Sequence, residues 1–124
     1  ELFNVRIKQY INKLEESMIE TLSIYNLKGE RLKNATGVWL DPEVPGKTRK
    51  ICAIGVRVSR FVTMHGFAFN VNTNLEYFNY INPCGFVDKG ITSLEKEIGE
   101  KIDINNVKLI VREKMSEVFE FDET

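Results

Sequence analysis

The chain reads as an α+β domain, and three observations carry that reading. Apolar residues recur at three- and four-residue spacing near both ends, the signature of amphipathic helices. Between them, Lys50 to Asn72 is rich in β-branched and aromatic residues, the composition of strands. With 124 residues, 43% hydrophobic and 28% charged, the chain is long enough for one domain, residues 1–124, with a real core.

The first helix is carried by Ile7, Ile11, Leu14, Met18, Leu22 and Tyr25, which gather on one face while Lys8, Lys13, Glu15, Glu16 and Glu20 fall largely outside it. It is expected to end near Leu27, with Gly29 as its left-handed terminal residue. Val38-Trp39-Leu40 predicts a short strand, and Asp41 to Gly46, with two prolines and a glycine, an exposed loop. The run from Lys50 to Asn72 reads as two antiparallel strands breaking near Ser59-Arg60. Gly55 and Gly66 fall inside them, where glycine weakens a sheet unless a bulge or a ligand calls for it. "LEYFNYI" reads as a short helix before the turn Pro83-Cys84-Gly85. Val107, Val111, Met115 and Val118 mark the last helix, with Asp103 or Asn105 as its cap.

Seventeen basic against eighteen acidic residues give a net charge of −1 and no basic stripe, so nothing draws the chain to nucleic acid. Its apolar runs fall short of the roughly 20 residues of a membrane helix, and no signal peptide opens the chain. A cytoplasmic setting is expected, or an organelle matrix after removal of a transit peptide. Cys52 and Cys84 are too few for a disulfide framework, and with the single histidine, His65, they make a poor zinc set, so no metal is expected.

Cys84 stands between a proline that fixes φ and a glycine that lets the backbone bend, an arrangement that can present a thiol rigidly. A thiol becomes a nucleophile only as the thiolate, which needs a base or cation nearby. Lys50, His65 and Lys89 are the candidates. His65 equally suits a hydrogen-bonded structural role. Lys50 heads a strand in which period-two alternation puts it on one face with Cys52, Ile54 and Val56.

Four motifs in order, Lys50-Ile51-x-Ala53-Ile54-Gly55, Met64-His65-Gly66-Phe67-Ala68, Asn70-Val71-Asn72 and Pro83-Cys84-Gly85, resemble those of the lipoyl (octanoyl) transferases. That family moves an octanoyl group from acyl carrier protein to a lysine of lipoyl domains, in 2-oxoacid dehydrogenases and in the glycine cleavage H protein. The resemblance implies a mainly antiparallel sheet backed by helices, like that of biotin- and lipoate-protein ligases, and no cofactor. It implies that Cys84 carries the acyl thioester and that Lys50 lowers its pKa. It further implies that Ala53, Ile54, Gly55, Gly66, Phe67 and Ala68 bind substrate, with His65 and Asn70 as supporting candidates. An ATP-dependent lipoate or biotin ligase would keep the strand lysine without needing Cys84; a non-catalytic half that docks lipoyl domains is the third reading. The family's Arg-Gly-Gly-x-x-x-Tyr-His-Gly-type motif is not in this sequence. The chain is therefore expected to be a C-terminal portion, a truncated form or one piece of a split protein, inactive or weakly active alone, with an exposed apolar face near Gly55 and Gly66 and a tendency to associate.

Overall fold

A computed structural model describes residues 2–59, 62–74 and 90–119, with side chains for 5–55, 67–74 and 90–119. Helix α1 (Leu2–Ile24) precedes strands β1 (Glu30–Leu32), β2 (Ala35–Leu40), β3 (Arg49–Ser59) and β4 (Val62–Phe69). Strand β5 (Gly90–Ile91) and helices α2 (Leu94–Ile98) and α3 (Ile104–Phe119) complete the described chain. Among these residues the strands form one sheet in the order β1-β2-β3-β4, every pair antiparallel. The short β5 runs parallel to β3 at Arg49 and Lys50, taking over that edge where β4 ends opposite Cys52. The α+β reading and the antiparallel β3–β4 pair thus hold, while β1 and β5, three and two residues long, have no counterpart in the sequence reading.

Helix α1 packs on β2, β3 and α3. Leu14, Met18 and Leu22 meet Val38, Leu40, Ile51, Cys52 and Ile54 in the core, with Leu94 and Val107 completing it. Ser17 and Thr21 are fully buried on the same helix. Their hydroxyls donate to the carbonyls of Lys13 and Ser17 at 2.8 and 2.9 Å, so burial leaves neither without a partner. Glu15, also buried, accepts from Arg31 Nε and from the Gly37 N–H, both at 3.0 Å, tying α1 to β1 and β2. Asp103 caps α3 by accepting from the Asn105 N–H at 3.0 Å, which selects Asp103 from the two expected caps.

The end of α1 differs from expectation. The helix stops at Ile24, and Asn26, at φ 63°, takes the left-handed position assigned to Gly29. Asparagine tolerates that conformation better than other side-chain-bearing residues. Gly29 serves close packing instead: a Cβ there would lie 2.7 Å from Leu22 Cδ1 and 2.8 Å from Val38 Cγ1, two fully buried side chains. Gly29→Ala is expected to destabilise the fold by about 1–3 kcal/mol through overpacking, read from the midpoint of urea unfolding.

Strand β3 departs from simple alternation. Val38 pairs with Cys52, whereas Trp39 pairs with Lys50 and Leu40 with Arg49, so β3 holds one extra residue, Ile51, between those pairs. A one-residue bulge turns the remaining side chains to the opposite face. Ile51 and Cys52 accordingly follow one another and are both fully buried in the core. Lys50 therefore does not share a face with Cys52 and Ile54 as period two implies. It lies opposite Trp39, which alternates with the core residues Val38 and Leu40 and stands outside their cluster, on the face turned away from α1.

Candidate active site

The face turned away from α1 brings together Gly37, Trp39 and Lys50 on β2 and β3. Lys50 Nζ lies over the Trp39 ring, 4.9 Å from its centroid. Its stem crosses Gly37: a Cβ on that glycine would stand 3.6 Å from Lys50 Cε and 3.7 Å from Cδ. The same Cβ would be 2.6 Å from the Cys52 carbonyl oxygen, and φ at Gly37 is +119°, so close approach and backbone conformation both demand glycine there. Farther along, Ala53 and Gly55 are exposed on β3, as is Ala68, the partner of Ala53 on β4. Among the described residues beyond its chain neighbours, no heavy atom lies within 4 Å of a Cβ placed on Gly55, and Gly66 stands opposite it in the register. An open strip of small residues thus runs from Lys50 along the β3–β4 pair.

The other expected substrate residues split by pleat. Ile54 and Phe67 pair across β3 and β4 and turn to the α1 side, Ile54 into the core and Phe67 into a groove of about 650 Å³ shared with Phe69, Val71, Val107 and Met115. Cys84 and Lys89 lie outside the described residues, as does the expected "LEYFNYI" helix, and His65 and Gly66 are described in backbone alone. The described chain resumes on either side of Cys84 at Asn74 and Gly90. The Asn70 N–H donates to the Ile51 carbonyl at 3.0 Å and the Thr92 N–H to the Lys50 carbonyl at 2.9 Å. Asn70 Nδ2 donates to the Thr92 carbonyl at 3.2 Å, closing the clasp. Asn70 before Cys84 and Thr92 after it are therefore anchored on Lys50 and its neighbour. Cys84 lies six positions before Gly90, a reach of at most about 22 Å.

The second thiol is placed for packing. Cys52 has no exposure, and burial pushes its pKa up to about 12, the nearby Glu15 charge adding to the rise and Lys50 opposing it. Such a thiol stays protonated and out of reach of substrate. Beside Lys50, Arg49 braces the start of β3 through a bidentate pair with Glu97, both contacts 2.7 Å, and a 2.9 Å contact with Asp41. The Thr92 hydroxyl donates to Glu97 Oε2 at 2.6 Å. Arg49 first, and Thr92 after it, hold the Glu97 carboxyl below its usual range against the cost of its burial. Trp39, Gly37 and Glu97 escape the sequence reading as site-shaping residues; the signal available for the first two was a glycine two positions before the only tryptophan, on a strand neighbouring Lys50.

Among the described residues no cluster of three or more His, Cys, Asp or Glu could hold a metal, and no helix is long and apolar enough to cross a membrane. The family model of the lipoyl protein ligase A/B catalytic domain matches residues 2–116, and the chain belongs to that family. Within it, the chain is similar to octanoyltransferases. It is 62% identical over 119 residues to that of Parabacteroides distasonis, covering 96% of this chain and 54% of that protein. It is 51% identical to that of Porphyromonas gingivalis over 96% of this chain and 23% of that protein. With the octanoyltransferase of Bacteroides fragilis it shares 54% identity over 87% of this chain and 48% of that protein. The chain thus spans about half the length of two of these relatives and less of the third.

Proposed function

We propose that this chain forms the C-terminal part of an octanoyltransferase catalytic domain that works through a thioester on Cys84. The Cys84 thiolate attacks the carbonyl of octanoyl-acyl carrier protein, forming the enzyme thioester and releasing the carrier thiol. The lysine amine of a lipoyl domain then attacks that thioester, forming the amide and returning the Cys84 thiol. Lys50 favours the thiolate by its charge and relays the protons, and no cofactor takes part because the donor arrives activated. The observation that carries this reading is the position of Lys50: off the core face, at the head of the open strip, with both flanks of the Cys84 segment bonded to it and to Ile51. A bare strip formed by Ala53, Gly55 and Ala68 suits an acyl chain lying along the backbone. The part present in longer relatives would cover this strip, with lipoyl domains of 2-oxoacid dehydrogenases or the glycine cleavage H protein as acceptors in the cytoplasm.

Mass spectrometry after incubation with octanoyl-acyl carrier protein, in a preparation competent for transfer, tests the route. The octanoyl group is expected on Cys84, with Cys52 unmodified and Cys52→Ala still acylated. A thioester on Cys52, or turnover undiminished in Cys84→Ala, would overturn it.

A further inference from the structure

Resting on the reading in which Lys50 serves Cys84, we propose that Trp39 is a positioning residue, whose ring face holds the Lys50 ammonium over the face of the sheet turned away from α1. The two residues face each other directly across β2 and β3, so the contact is fixed by strand register rather than by two flexible chains meeting. Trp39 is 4% exposed and cannot swing away, and its 4.9 Å separation from Nζ lies within the range of a cation–π contact. Gly37 shapes the rest of the seat, since its bare backbone leaves the lysine stem room to lie across β2.

The chemistry favours a ring over a carboxylate at this place. Among the described residues no carboxylate pairs with Lys50, the ion pairs there belonging to Arg31, Arg49 and Lys114. A carboxylate would hold the ammonium's proton in place and occupy its N–H donors. An indole face stabilises the charge through its quadrupole and is no base at working pH, so it fixes the ammonium while leaving donors for the thiolate. A lysine that must both stabilise an anion and exchange protons gains from such a seat, where an unrestrained one would snorkel into water.

Reductive methylation with ¹³C-formaldehyde reads the contact without turnover. The Lys50 dimethylamine signal, assigned by its loss in Lys50→Arg, is expected upfield of the other lysines through the ring current of Trp39, partly so in Trp39→Phe and not in Trp39→Leu. A Lys50 signal at the ordinary lysine position in the unmutated chain overturns the proposal, whatever the Trp39 variants do. Thiol alkylation at neutral pH gives a second reading. Trp39→Leu is expected to slow alkylation of Cys84 by about 2- to 30-fold, the range a cation–π contact spans, with Trp39→Phe close to the unmutated rate. In a Lys50→Ala background Trp39→Leu should have no further effect, whereas a merely structural tryptophan would act equally in both backgrounds. If the ring-current shift is present but Cys84 never carries octanoate, the transferase reading falls and the seat for Lys50 stands. If Cys84 is acylated and the shift is missing, the seat falls alone.

Discussion

Lys50→Ala is expected to slow octanoyl transfer by about 10²- to 10⁴-fold, the range spanned by a positioned proton-transfer group. It should also slow alkylation of Cys84 at neutral pH, because a positive charge within a few ångströms favours the thiolate. Lys50→Arg separates those two contributions. Its guanidinium keeps the charge yet does not give up a proton, so alkylation of Cys84 should stay near the unmutated rate while transfer remains slow. Single-turnover acylation and deacylation, measured beside the alkylation rate, check both expectations. Full transfer activity in Lys50→Arg would remove the proton relay, and identical alkylation curves with and without the lysine would remove its electrostatic effect on the thiol.

Arg49→Met should lower stability at neutral pH by about 2–3 kcal/mol, the scale of hydrogen bonds to a charged group, because Glu97 and Thr92 would keep only each other. The Glu97 side chain is 12% exposed, so water repairs little of that loss. The pH dependence carries a sign. Glu97 has a lowered pKa in the folded protein, chiefly through Arg49, so the unfolded chain takes up its proton first as pH falls. Its contribution is complete above the ordinary glutamate value near 4.3 and disappears as pH drops below that, through the folded pKa. Urea titrations between neutral pH and about pH 3 should therefore show the unmutated chain losing stability more steeply than Arg49→Met. Parallel curves would mean that Glu97 is not held low by Arg49.

The long periodic elements were legible in the sequence because their burial repeats. Leu14, Met18 and Leu22 face the sheet, and β3 ends at Ser59 with β4 starting at Val62, beside the break expected near Ser59-Arg60. Family motifs pointed to Lys50 and to the open positions Ala53, Gly55 and Ala68. Two kinds of information were not legible. Strands β1 and β5 are too short to display a period and owe their state to the partners they meet, Trp39 and Ala35 for one, Arg49 and Lys50 for the other. The face occupied by Lys50 depends on the bulge at Ile51, which no local pattern announces: Ile51-Cys52 is an ordinary apolar pair, and its irregularity exists only relative to β2. Trp39 was read as a strand residue and nothing more because its value lies in what stands across from it.

The extra residue in β3 also governs how this sequence can change its length. Removing Ile51 would restore strict pairing with β2 and leave Lys50 opposite Trp39 and Cys52 opposite Val38, but it would take a fully buried side chain out of the core. The void would open in the cluster that holds Leu14, Met18 and Cys52. One deletion would thus straighten the strand and hollow the core together. The connection from Asp41 to Lys47, mostly exposed and joining two strand ends, has no buried side chain to lose, and length variation is tolerable there. Lineages carrying this domain are expected to differ in length at that connection, while the spacing from Arg49 to Cys52 stays fixed.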